Sequence, residues 1–240
     1  MDAIKTTNLT KCYGSKTALD SLNLTIHDGE LFSLLGINGA GKTTAIKLLS
    51  CLMAPTSGTA EIYGHNIITH SHEARSQLSA SPQETAVAPN LTARENLELL
   101  AGIYGIPDPR FRATEMIHKF NLSEIENVRA KKLSGGWQRR LSIAMALISQ
   151  PRLLFLDEPT LGLDVLARRE LWSLINQLKG KTTIILTTHY LEEAEALSDR
   201  IGILSSGKLT ALGTAKELME ISQTSNFEDA FIHLAGGESQ

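Results

Sequence analysis

The 240-residue sequence predicts an α/β fold. Three observations carry that prediction: a glycine-rich loop between an apolar strand and a helix, a second apolar run ending in two acids, and a change from strand-like to helix-like patterning near residue 84. With 42% apolar and 20% charged residues the chain can bury a sizeable core, in one domain or two small ones. Its net charge of −3 gives no sign of a basic surface for nucleic acid. Cys12 and Cys51 lie in no metal-type spacing and make a disulfide framework unexpected, which suits a reducing cytosol. Cys51 reads as a core residue of an apolar helix. No basic-then-apolar leader opens the chain, and runs such as Ile143 to Ile148 fall short of a membrane span, so a soluble protein is expected. The Asn-x-Ser/Thr triplets at Asn8, Asn23, Asn90 and Asn121 then carry no weight.

In chain order, Ala3 to Thr10 and Ser21 to His27 alternate apolar and polar residues as half-buried antiparallel strands do, with a turn around Tyr13-Gly14-Ser15-Lys16. Tyr13 can stack on a purine or pack over its own hairpin, and residue type alone favours the packing. Leu31 to Leu35 is a strand, and Thr43 to Met53 has the helical spacing of Ile46, Leu49 and Met53 on one face. Between them, Gly36-Ile37-Asn38-Gly39-Ala40-Gly41-Lys42-Thr43-Thr44 matches the phosphate-binding pattern G-x-x-x-x-G-K-[ST] at every fixed position. Its glycines let backbone N–H groups wrap an anion at a helix N-terminus. Lys42 would reach the β- and γ-phosphates, and Thr43 would offer a hydroxyl to Mg²⁺. Such a loop implies a nucleoside triphosphate and leaves open what its energy drives.

A short strand follows at Thr59 to Tyr63. His65, His70 and His72 match no zinc spacing and read as solvated loop residues. Ser79-Ala80-Ser81-Pro82-Gln83 is extended before its proline. Thr92 with Glu95 forms a capping-box pattern that starts a helix bearing Leu97, Leu100 and Ile103. Residues 84–150 are predominantly helical in pattern, with loops around Pro107 to Pro109 and Asn121 to Asn127. Near their end, Ser134 is suited to N-cap a helix whose apolar face is Leu141, Ala144, Met145 and Ile148. Gly135 and Gly136 weaken that helix by roughly 1 kcal/mol each relative to Ala. They serve either a second anion site or a tight turn into the helix.

Arg152 to Glu158 is a continuous apolar run ending in acids, as in a central strand covered on both faces, and ligands of open α/β sheets sit at such C-terminal ends. Neighbouring strand residues point opposite ways, so Asp157 can hold the Mg²⁺ shell while Glu158 orients or deprotonates a water. The strand Lys181 to Thr187 runs into Thr188-His189, placing His189 on the same edge within reach of a γ-phosphate, although a lone histidine there is more often an ordinary core or surface residue.

Together these residues resemble the ATP-binding subunit of ABC transporters over essentially the whole length. Gly36 to Thr44 resembles the Walker A loop, Leu154 to Glu158 Walker B, and Leu133 to Gly136 the LSGG signature. Gln83 matches the Q-loop glutamine, Leu163-Asp164 the D-loop, and His189 the switch histidine. The resemblance implies a RecA-like P-loop NTPase core with an antiparallel β-subdomain (1–83 with 151–213), a helical subdomain insert (84–150) and a C-terminal helical tail (214–240). It implies ATP and Mg²⁺ as ligands, with Tyr13 stacking on adenine, Gly36, Asn38, Gly39, Ala40, Gly41, Lys42, Thr43 and Thr44 around the phosphates, and Thr43, Gln83 and Asp157 around the metal. Glu158 becomes the base, assisted by Lys42, Gln83 and His189. Two subunits would dimerise head to tail, so that Ser134, Gly135, Gly136 and Asp164 complete the site of the partner.

Three departures stand out: Trp137 replaces a common glutamine, Val165 stands where a proline often follows the D-loop aspartate, and Ser79-Ala80-Ser81 is unusually polar for a strand. None removes a catalytic group. Fewer than thirty residues follow Leu212, too few for the regulatory domain of sugar importers. Asn226 to Leu234 resembles the end of single-cassette ATPases that drive drug, sodium or polysaccharide exporters. The expected role is an ATPase on the cytoplasmic face of the membrane, bound to separate membrane-spanning permease subunits and to no nucleic acid. The competing readings are a soluble ABC ATPase acting on DNA or ribosomes, whose long coiled coils or paired cassettes are missing here, and a small-molecule kinase, against which the Ser-Gly-Gly helix start and His189 argue.

Overall fold

The structure is a computed structural model that describes residues 1–236. Two long strands, β1 (Asp2–Tyr13) and β2 (Lys16–His27), form the opening hairpin, with Gly14 in the left-handed region at its turn. β3 (Leu31–Leu35) is buried throughout and leads through residues 36–41 into α1 (Lys42–Leu49). β4 (Ser57–Ile62) pairs with β1, the two-residue β5 (His65–Asn66) extends the sheet, and α2 (Ser71–Ser76) leads to β6 (Leu78–Ser81). Three helices follow before the next strand: α3 (Ala93–Ile103), α4 (Pro109–Lys119) and α5 (Gly135–Ala146). The remainder is β7 (Leu153–Asp157), α6 (Val165–Asn176), β8 (Thr183–Thr188), α7 (Leu191–Leu197), β9 (Arg200–Ser205), β10 (Lys208–Gly213), α8 (Ala215–Ser222) and α9 (Phe227–Leu234).

The strands make two sheets. One has the order β2-β1-β4-β5 with antiparallel neighbours, and the other has β10-β9-β3-β8-β7-β6, parallel except for β10 at its edge. Alternation along the central strands feeds two cores. Leu31, Leu154, Leu156, Ile184 and Leu186 face α3 to α6, whereas Phe32, Leu34, Leu153, Phe155 and Ile185 face α1 and the first sheet. Strands used on both faces read as unbroken apolar runs for this reason. The registers pair Leu35 with Thr188, Asp157 with Thr187 and Ser81 with Leu156. Residues 36–41, 158, 189 and 82–83 therefore leave the sheet side by side at its C-terminal edge.

Several local expectations need correction. The helix expected to reach Met53 stops at Leu49, and Cys51, buried as expected, sits in a left-handed turn beyond it at φ +57°. The chain reverses there and leaves Leu52 74% exposed. The capping box of Thr92 and Glu95 forms and the helix carries Leu97, Leu100 and Ile103 as expected, with Ile103 at its end pointing to solvent. The polar stretch Ser79 to Ser81 makes a regular edge strand. Its serines are buried, and the Ser81 hydroxyl meets that of Ser142 at 2.9 Å, so burial leaves it satisfied. Asp164 offsets the missing proline at Val165: its carboxylate accepts from the N–H groups of Leu166 and Ala167 and caps α6.

Candidate nucleotide site

The exits from β3, β6, β7 and β8 surround a cavity of about 670 Å³. Tyr13, Asn38, Gly39, Gly41, Lys42, Thr43, Thr44, Gln83, Glu158 and His189 line it, together with Lys16, Ala18 and Leu161. Its size and mixed lining are those of a small-molecule site.

The loop geometry has identifiable causes. Gly41 is at φ +109°, and a Cβ there would sit 2.5 Å from the Ala18 carbonyl oxygen. Only glycine meets both conditions, so the hairpin and the loop are locked in close approach. Lys42 is 5% exposed; its Nζ donates to the Gly36 carbonyl at 2.7 Å and lies 3.5 Å from Glu158 Oε1. Gly36 and Ala40 support the loop from beneath rather than line the cavity: Gly36 donates to the Thr188 carbonyl, and Ala40 is buried with its carbonyl taken by Gly207.

The two acids at the end of β7 do not part as strand alternation predicts. β7 ends at Asp157, and Glu158 turns into the left-handed region at φ +46°. For a non-glycine residue this conformation stores roughly 1 kcal/mol or more, held here by surrounding contacts. The Glu158 N–H is shared between the Thr187 carbonyl and hydroxyl, both at 3.1 Å. The turn carries the Glu158 carboxylate back over the cavity, 3.5 Å from Lys42 Nζ and 3.3 Å from His189 Nδ1. That His189 nitrogen is buried and lacks hydrogen-bond alignment with any protein group. Asp157 lies deeper, with Oδ1 accepting from the Thr187 hydroxyl at 2.5 Å.

Tyr13 is half exposed at the cavity mouth, its hydroxyl donating to Met53 Sδ at 3.0 Å and its ring 5.5 Å from Lys11 Nζ. Among the described residues no group of three or more His, Cys, Asp or Glu side chains could cage a metal. A single carboxylate with a hydroxyl and an amide would suit Mg²⁺; of the residues expected to hold it, Thr43 and Gln83 line the cavity and Asp157 lies behind them. That ion keeps its waters and takes phosphate oxygens instead of an all-protein cage.

Besides Gly36, Ala40 and Asp157, which sit behind the lining, the expected ligand residues Ser134, Gly135, Gly136 and Asp164 lie outside the cavity. Ser134, Gly135 and Gly136 start α5 on the surface, and Ser134 is the N-cap by position without using its side chain. Its hydroxyl stays available. Asp164 caps α6. Trp137 turns away from this helix start and stacks with Arg140, 4.7 Å from ring to guanidinium, while Arg140 pairs with Glu170.

Two buried charges had no signal in the sequence. Arg139, on α5, is buried against the backbone of Pro82 and Gln83. Glu193, on α7, is fully buried and accepts from Trp172 Nε1 at 3.1 Å. Burial pushes its carboxyl up, opposed by the Thr188 and Thr160 hydroxyls and the Trp172 indole.

Similarities to known proteins agree with this geometry. The family model described as "ABC transporter" matches residues 19–161. The daunorubicin resistance ATP-binding protein DrrA3 of Streptomyces coeruleorubidus is 42% identical over 90% of this chain, which spans 69% of that protein's length. A solved ATP-binding subunit of an ABC transporter superposes with a TM-score of 0.86 at 29% identity, covering 97% of this chain and 99% of that one. The ATP-binding cassette MJ0796, solved as a post-hydrolysis dimer bound to ADP and Pi, superposes at 0.78 with 30% identity, covering 88% of this chain and 98% of that one.

Proposed function

Because this chain belongs to the ABC transporter family and is one of its ATPase cassettes, we propose that it hydrolyses ATP to drive a separate membrane-spanning exporter, through head-to-tail dimerisation of two cassettes. The observation that carries the reading is the split between its two glycine-bearing helix starts. One lines the cavity beside Glu158 and His189, and the other faces outward from it.

In this reading Tyr13 stacks on the adenine, and the N–H groups from Gly39 to Thr44 hold the phosphates at the α1 N-terminus. Lys42 leaves the Gly36 carbonyl and Glu158 for the β- and γ-phosphates. Mg²⁺, coordinated by Thr43, Asp157 and Gln83, would neutralise phosphate charge. Glu158, freed from Lys42, accepts the proton of the attacking water, and His189 turns its unpartnered nitrogen toward the γ-phosphate. Ser134, Gly135 and Gly136 close over the nucleotide of a second copy or a homologous cassette, and Asp164 lies at the same contact. Residues 84–150 act as the helical subdomain and 214–236 as the tail; the last four residues of the expected 214–240 segment lie outside the described residues. Among the described residues no helix is long and apolar enough to cross a membrane, in keeping with a separate permease partner at the cytoplasmic face.

The daunorubicin resistance role named for the Streptomyces relative points to an amphiphilic drug-like cargo. The test is to purify the tagged chain from native membranes. An integral membrane protein should accompany it, and ATP should release phosphate without any phosphorylated acceptor. A chain that comes free of membrane protein, or that phosphorylates an acceptor, would refute the proposal.

A further inference from the structure

Arg139 connects the outward-facing helix to the reaction site. It sits on α5, whose start at Ser134 and Gly135 is exposed, yet its own side chain is buried at 5% exposure. Nη1 donates to the Pro82 carbonyl and Nη2 to the Gln83 carbonyl, each at 2.6 Å, and Nη2 also reaches the Glu158 carbonyl at 3.4 Å. Two neighbours on α5 hold the same stretch. Ser142 meets Ser81 at 2.9 Å, and the Gln138 amide oxygen accepts from the Thr85 hydroxyl at 3.4 Å. Residues 81–85 are thereby fastened to α5, and within this set Arg139 alone also touches the backbone of Glu158.

A buried guanidinium is costly unless it is paired and fully hydrogen-bonded. Here its hydrogen bonds go to carbonyls, and its counter-charge comes from nearby Asp157, Glu193 and Glu158, whose fields oppose the lowering that burial imposes. The carbonyls it holds belong to two irregular places in the site. These are the turn that carries Gln83 and the left-handed residue Glu158. Strained backbone of that kind persists when surrounding contacts over-determine it.

We infer that Arg139 is a positioning residue for hydrolysis: its planar fork joins the Gln83 turn to Glu158, so that the position of α5 sets where the Glu158 carboxylate stands relative to Lys42 and His189. The inference rests on the roles proposed above for Gln83 and Glu158. A guanidinium bridges two carbonyls in fixed geometry, whereas the single ammonium of lysine does not. Arginine itself, beyond positive charge, is therefore required.

The test compares ATP hydrolysis by the wild type, Arg139→Ala and Arg139→Lys, each normalised to folded protein by fluorescent-nucleotide titration. Both variants should lose about 10- to 100-fold in kcat, as a small misplacement of a reacting group does, with KM and nucleotide affinity within about 3-fold of wild type. A packing role alone would lower the thermal midpoint and leave kcat per folded molecule unchanged. Full kcat in Arg139→Ala, full recovery in Arg139→Lys, or a loss confined to KM would each overturn the inference. If Arg139→Ala does not fold, Arg139→Lys decides by the same criteria. Absence of phosphate release by the wild type would instead fail the functional reading and remove this inference with it.

Discussion

The two glycine-bearing helix starts use the same chemistry in opposite settings. At α1, Gly41 is forced by the fold: its φ of +109° and the Ala18 carbonyl 2.5 Å from a would-be Cβ admit no other residue, and the loop around it is enclosed by Tyr13, Gln83, Glu158 and His189. At α5, Gly135 has ordinary helical backbone, and a Cβ would meet nothing within 4 Å. A tight turn into the helix therefore does not account for Gly135, since alanine would fit and strengthen α5. A glycine that the chain's own packing does not demand fits the proposal that the bare N–H groups of this helix start serve a ligand outside the subunit. The α1 start lines a cavity within its own subunit, while the α5 start lies outside that cavity at the surface, as the proposed contact with a second cassette requires.

The contrast can be broken most severely at the first site. Lys42→Ala should abolish hydrolysis and weaken ATP binding by about 10- to 100-fold, the worth of a charged hydrogen bond at roughly 1.5–3 kcal/mol; near-normal turnover would remove the phosphate assignment. Glu158→Gln keeps the side chain's size and loses its basicity, so single-turnover assays should show hydrolysis slowed on the order of 10²-fold with ATP still bound. If it turns over normally, Glu158 is not the base. His189→Ala should slow hydrolysis by about 10-fold or more and spare ATP affinity. A drop in affinity there would make the histidine structural.

Glycine substitutions sharpen the contrast. Gly41→Ala should destabilise the protein, since neither its φ nor its surroundings accept a Cβ. Gly135→Ala should raise stability by up to about 1 kcal/mol in urea unfolding while lowering ATP hydrolysis. Should it raise stability and leave hydrolysis intact, the α5 donors have no part in the reaction.

The first helix start was more legible in the sequence than the second for a physical reason. The loop of residues 36–44 and the runs Leu31 to Leu35, Leu153 to Asp157 and Thr183 to Thr188 are specified locally, by glycines, apolar content and strand ends. Each was readable in place, as was the Thr92–Glu95 cap. What escaped depends on contacts distant in sequence. The left-handed turn of Glu158 is held by Thr187, and the serines of β6 are balanced by Ser142 on α5. The partners of Arg139 are Pro82 and Gln83, far from it in sequence. Helix periodicity ran on past Leu49 to Met53 because nothing local marks the reversal at Cys51, a non-glycine residue in a conformation glycine usually takes.

The most direct test of the composite site is light scattering on Glu158→Gln, alone and combined with Ser134→Arg, each with and without ATP. Ser134 is exposed and outside the cavity, so the arginine leaves the chain's own nucleotide binding unchanged and blocks only a partner's approach. Glu158→Gln should reach twice the chain mass on ATP addition, and the double variant should bind ATP with the same affinity and stay at the mass of one chain. A Glu158→Gln protein that remains a monomer at saturating ATP, or a double variant that dimerises as well as the single one, would contradict the composite site.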